Sequence, residues 1–147
     1  MPRLSLDLPD QFRFSTELCI YSAHINQGGH LDNVQILHLY SEARRRFFAD
    51  LGYSEVNVEG LRTIMADALV IYRSEAFVGE TLVFQIAAGD DNRYGGDLVW
   101  SAREKLSGRE VARGKSGFVF VDPTTRRPTP APQAFKNRAA IPSLDSI

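Results

Sequence analysis

The sequence predicts an α+β domain in which one long helix lies across an antiparallel sheet of five strands. Three observations carry that expectation. A single segment has a helical period, one strand-like run precedes it, and four such runs follow it with only short connections between them. At 147 residues the chain is long enough for one compact domain and short for two, so residues 1–147 are expected to form one unit.

In order, "QFRFSTELCIY" places Phe12, Phe14, Leu18 and Ile20 on one parity and reads as a first strand. In "NVQILHLYSEARRRFFADLG", Ile36, Tyr40, Ala43, Phe47 and Leu51 recur every three or four residues, the mark of a helix with one buried stripe. Gly52 is a natural stop, and Asp32 with Gln35 resembles a capping box at the start. A helix of about 18 residues spans ~27 Å, enough to cross five strands. "TIMADALVIYRS" and "ETLVFQIAA" read as strands joined by a turn in "EAFVGE" around Gly79. "DLVWSAREKL" and "EVARGKSGFVFVD" follow, joined by a hairpin turn at "SGR". These last strands are expected in antiparallel succession, with Trp100, Phe118 and Phe120 in the core.

The core is placed at about residues 11–122. From Pro123 the tail 123–147 carries five prolines and is expected to run extended, with a short helical turn near Phe135. One helix covers one face of a sheet, and the strand pattern leaves little polar surface for the other, so pairing with a second copy is expected.

Composition is that of an ordinary globular protein, 44% apolar and 24% charged, with a net charge of −1. That balance gives no bulk attraction to nucleic acid or to a membrane surface. No apolar run approaches a membrane span, and the start lacks the pattern of a secretory leader. Cys19 is the only cysteine and is expected in a buried strand position. With no intrachain disulfide possible, a reducing, cytoplasmic setting is expected.

The chemistry concentrates in "HINQGGHLDN", residues 24–33, just ahead of the helix. The first turn of a helix presents unpaired N–H groups and partial positive charge, and glycine lets a ligand approach the backbone. A carbonyl oxygen that becomes negative, or a phosphate, suits such a place. Each residue also has a plain reading: Asp32 or Asn33 as helix cap, Asn26 as turn former, Glu42 as a solvated or interface carboxylate, and Arg44, Arg45 and Arg46 as a wet helix face with one member paired. His24 and His30 lie close in sequence, but a zinc site needs three or four ligands, so no metal is expected.

The arrangement resembles the hot-dog fold, and specifically the acyl-CoA thioesterases related to 4-hydroxybenzoyl-CoA thioesterase. "GHLDNVQILHLYSEARRRFFADLG" is similar to the family's Gly-His, Asn, apolar helix, Glu-Ala-Arg and Leu-Gly. "YRSEAFVGETL" and "SGREVARGKSGFVFVD" resemble the family's later strand connections, and the likeness spans roughly residues 11–122.

The resemblance implies hydrolysis of an acyl-CoA, or an acyl carrier protein thioester, to a free acid and a thiol. CoA enters as part of the substrate and no separate cofactor is implied. In the family an acid just ahead of the helix acts as base or nucleophile. The matching residue here is Asn26, and the acid often found two positions earlier is His24. An amide cannot take a proton from water near neutral pH.

This chain fits a branch with His-x-Asn-x-Gly-x-His-Leu-x-Asn. Candidate catalytic residues are therefore Asn26, His30, Asp32 and Glu42, with Asp32 ranked first as base. His24, Gly28, Gly29 and Asn33 are candidates for binding substrate, and the backbone amides of Gly29 and His30 for polarising its carbonyl. Arg103, Lys105, Arg109, Arg113 and Lys115 could hold CoA phosphates or simply be outward strand residues. A homodimer or homotetramer is implied. The alternatives are a non-catalytic thioester-binding protein of the same fold and, more remotely, a hydratase or dehydratase.

Overall fold

In a computed structural model, which describes residues 1–142, the chain forms five strands and two helices. They are β1 (Phe14–Cys19), α1 (Gln35–Asp50), β2 (Arg62–Tyr72), β3 (Thr81–Gly89), β4 (Gly95–Glu104), β5 (Glu110–Val121) and α2 (Gln133–Ala139). The strands make one antiparallel sheet in the order β1-β3-β4-β5-β2, with α1 packed on one face, the hot-dog arrangement.

The predicted stripe of α1 is its buried face: Ile36, Tyr40, Ala43, Phe47 and Leu51 are all 4% exposed or less. Tyr40 stacks on Trp100 with ring centres 4.8 Å apart, and its hydroxyl hydrogen-bonds Ser116 Oγ at 2.5 Å. Gly114 makes this stack possible, since a Cβ there would lie 2.5 Å from the Trp100 ring and from the Leu69 carbonyl oxygen. Trp100, Phe118 and Phe120 are in the core as expected.

The strand order departs from the expected succession. β2 does not pair with β3; it pairs with β5 along the opposite side of the sheet. β3 already has both edges occupied, by β1 and β4, so no ladder is left for β2 to join. "EAFVGE" is consequently a crossing connection and not a hairpin turn. It runs past the start of α1, where the Leu31 N–H donates to the Ala76 carbonyl at 2.7 Å.

Asp32 caps the helix start, though without a box. Its carboxylate accepts the Val34 N–H at 2.9 Å and its carbonyl accepts the Gln35 N–H at 3.0 Å, one turn ahead of the regular helix. The tail does form a helix at Phe135, but it plugs the core where an extended surface course was expected. Phe135 is 2% exposed and stacks on Phe48 at 5.9 Å, closing the end of the sheet. Residues 143–147 of that tail lie outside the described residues.

The far face of the sheet is more polar than the strand pattern suggests. It carries Lys115 paired with Asp67 and Asp97, each at 3.2 Å, and Arg113 paired with Glu110 at 2.5 Å. Cys19 is half-buried at the end of β1 and not enclosed. No helix among the described residues is long and apolar enough to cross a membrane.

Candidate active site

Residues 25–31 fold into a miniature hairpin. Ile25 bridges to Leu31, the Gly29 N–H donates to the Asn26 carbonyl at 3.1 Å, and the Asn26 N–H donates to the His30 carbonyl at 3.0 Å. Gly29 takes φ +86°, a left-handed angle that glycine adopts without cost. Gly28 serves a different purpose. A Cβ there would fall 3.2 Å from both Asn26 Oδ1 and His30 Nε2, so its bare Cα lets two polar tips converge over the turn.

Asn26 and His30 line a cavity of about 400 Å³. One wall is Asn26, His30, Asp32 and Asn33; the other is Tyr72, Arg73, Ser74 and Glu75, from the end of β2 and the crossing connection. Ile36, Val111 and Ala112 supply apolar surface below. The walls touch at two places. Tyr72 Oη donates to the Asn33 carbonyl at 2.7 Å, and His30 Nε2 lies 3.6 Å from Glu75 Oε1.

Several polar groups here have no partner among the described residues. Asn26 Oδ1 is buried with none, and the His30 backbone N–H reaches no acceptor. An unpaired buried acceptor costs free energy of about 1–3 kcal/mol, so such a group usually awaits a ligand or water. The Gly29 N–H differs: its bond to Asn26 removes it from the pair of amides expected to meet a carbonyl.

The predicted residues therefore divide. Asn26, His30, Asp32 and Asn33 share the cavity, while His24 and Glu42 line a separate cleft with Cys19, Tyr21, His38 and Arg46. His24 Nδ1 accepts the Tyr21 N–H at 2.9 Å, a structural bond. Glu42 receives Arg45 at 2.7 Å and Arg46 at 3.1 Å. The Arg45 hydrogen bonds foremost, with those of Arg46, hold its carboxyl below the usual carboxylate range. A carboxylate so stabilised is a poor proton acceptor.

The arginine run is also more fully paired than expected, because Arg44 bonds Glu55 while Arg45 and Arg46 share Glu42. The five basic residues considered for CoA phosphates are likewise engaged within the chain. Lys105 pairs with Glu17 at 2.9 Å, Arg109 with Glu80 at 2.9 Å, and Arg113 and Lys115 as above. Arg103 reaches the Gly108 carbonyl at 3.1 Å. The cation that does line the cavity is Arg73, 3.7 Å from Glu110 and half exposed.

Sequence reasoning missed Tyr72, Arg73 and Glu75. The signal was present in "YRSEA", a polar cluster closing an apolar strand. Its meaning depended on the crossing of β2 to β3, which a simple turn between neighbouring strands conceals.

Comparison with known proteins gives a consistent family. Residues 22–139 match the family model described as the thioesterase-like superfamily. No curated relative matches the sequence. Among solved structures, a 1,4-dihydroxy-2-naphthoyl-CoA thioesterase from Synechocystis is 18% identical with a TM-score of 0.78, covering 86% of this chain and 94% of that one. A Staphylococcus aureus protein solved in complex with CoA is also 18% identical at 0.78, covering 91% and 85%. A gentisyl-coenzyme A thioesterase is 12% identical at 0.76, covering 86% and 100%.

Proposed function

The chain belongs to the thioesterase-like superfamily, and we propose that it hydrolyses acyl-CoA or acyl carrier protein thioesters in the cavity at the start of α1. The observation that carries this reading is that His30, whose backbone N–H has no acceptor among the described residues, lines this cavity beside Asn26 and Asp32. The His30 N–H suits the carbonyl oxygen that gains charge during attack. The Asn26 amide, in the same cavity lining, suits a hydrogen bond to the attacking water. Within this reading Asn26, His30 and Asp32 are the sequence-predicted catalytic residues that line the cavity, whereas Glu42 lies in its own cleft.

CoA enters as substrate and the reaction requires no further cofactor. The solved relative that holds CoA is consistent with such a substrate. We propose that the protein works in the cytoplasm as a homodimer or homotetramer. Among the described residues the outer edge of β2 has no strand beside it, and Ile64 and Tyr72 on that strand are more than half exposed, which fits pairing with a second copy.

The test is release of free thiol from acyl-CoAs of several chain lengths and an aromatic one, with Asn26→Ala alongside. The expected outcome is turnover by the wild type and a loss of about tenfold or more in the variant, the scale of removing a water-orienting group. A second reading, a thioester-binding protein without turnover, is favoured by one observation: an amide stands at position 26, where the family resemblance implies an acid. Binding of acyl-CoA with no thiol release would select it.

A further inference from the structure

We propose that Glu75 is the carboxylate that takes the proton from the attacking water, with His30 as its positioning residue; this rests on reading the cavity as a thioester-hydrolysing site. The amide at position 26 leaves the cavity without a base on the α1 side, and the opposite wall supplies one. Glu75 Oε1 stands 3.6 Å from His30 Nε2, across the cavity that both line. That ring nitrogen is the side-chain polar atom nearest the carboxylate across the gap and biases the direction in which it points.

The other acids nearby are committed elsewhere. Asp32 Oδ2 accepts the Val34 N–H that opens α1. Glu110 is held by Arg113 and carries Arg73 as well. Glu75 has His30 as its only charged contact among the described residues, and its side chain is 64% exposed at the cavity mouth. The groups facing it are His30 and Asp32 from the α1 side and Arg73 from its own segment.

In this assignment the attacking water lies between the walls and donates one O–H to Glu75, beside the Asn26 side chain that lines the same cavity. The bare Cα of Gly28 keeps Asn26 Oδ1 and His30 Nε2 together at this point.

The step balances. The water oxygen forms a bond to the thioester carbonyl carbon as one water proton passes to Glu75. The carbonyl π pair moves onto oxygen, which the His30 backbone N–H stabilises. When the C–S bond breaks, its electron pair leaves on sulfur, which takes the proton back from Glu75. The products are the free acid and the CoA thiol, and the carboxylate is restored.

The experiment compares wild type, Glu75→Gln and Glu75→Asp on the acyl-CoA that the wild type turns over fastest, with kcat and KM measured across pH. Gln keeps the shape and an oxygen toward His30 but cannot accept the proton, and the position is exposed enough to spare the fold. The expected result is a kcat lower by roughly 100-fold or more in Glu75→Gln, with KM within about threefold. Glu75→Asp, which keeps a carboxylate, should recover part of the lost kcat.

An active wild type with an unaffected Glu75→Gln overturns this assignment and leaves the hydrolase reading standing. A raised KM with unchanged kcat, or equal losses in both variants, also overturns it. No thiol release by the wild type overturns the reading and the assignment together.

Discussion

The two clefts on either side of residues 24–33 are built from similar residue types and differ in how their polar groups are spent. In the cleft of His24 and Glu42, the two predicted residues are each tied to a neighbour. His24 receives the Tyr21 N–H, and Glu42 is bonded to Arg45 and Arg46. In the cavity of Asn26, His30 and Glu75, an amide oxygen and a backbone N–H are unspent, and the carboxylate is held only loosely. Charge saturation marks a structural role, and unsatisfied groups around a concave space mark a site. His24 and His30 lie six residues apart and illustrate both outcomes.

The sharpest way to break this contrast outside Glu75 is Gly28→Ala. The added methyl group would sit 3.2 Å from Asn26 Oδ1 and His30 Nε2, forcing the two tips apart. We expect turnover to fall by about tenfold or more while the melting temperature changes little, since a small misplacement at a reacting centre is costly. Equal activity in Gly28→Ala would remove the convergence of these tips from the account.

Phe135→Ala tests the opposite kind of region, a saturated one. Phe135 fills the space between Phe48, Phe118 and Phe120, so its loss should destabilise the fold by about 3 kcal/mol in denaturant titration. Turnover per folded molecule should hold.

Glu42→Gln should change least. Its salt bridges are partly exposed and worth about 1 kcal/mol or less, and kcat should stay within about twofold of wild type by thiol release. A large loss of kcat would return Glu42 to the catalytic residues.

A pH dependence sharpens the same distinction. The Arg113 hydrogen bond, ahead of its charge and those of Arg103 and Arg73, holds the Glu110 carboxyl below its ordinary value of 4.5. A carboxyl depressed on folding stabilises the native state above its unfolded value, and that contribution is lost as pH falls through the lower folded value. Glu110→Gln should therefore flatten the loss of thermal stability on acidification below about pH 4.5.

Much of the fold was legible in the sequence. The stripe from Ile36 to Leu51, the alternation around Leu18 and Ile20, and the hairpin at "SGR" each depend on local periodicity, which tertiary structure did not override. Strand order was not legible. Pairing of β2 with β5 is set by which edges remain after β3 joins β1 and β4, a nonlocal property with no local signature.

The same limit divided the site. Asn26, His30, Asp32 and Asn33 are contiguous in the chain and were found together, while Tyr72, Arg73 and Glu75 arrive by the crossing connection. Glu42 lies in the other cleft, and position along a helix does not reveal which side of the preceding loop a residue faces. Its two arginine partners, three and four residues on, were readable as a solvated cluster.

The most direct measurement is a crystal structure of the protein with an acyl-CoA analogue whose sulfur is replaced by CH2, which keeps the carbonyl and cannot be hydrolysed. The carbonyl oxygen is expected about 3 Å from the His30 backbone nitrogen, with the acyl carbon between Asn26 and Glu75. A carbonyl seated in the cleft of His24 and Glu42 would contradict it.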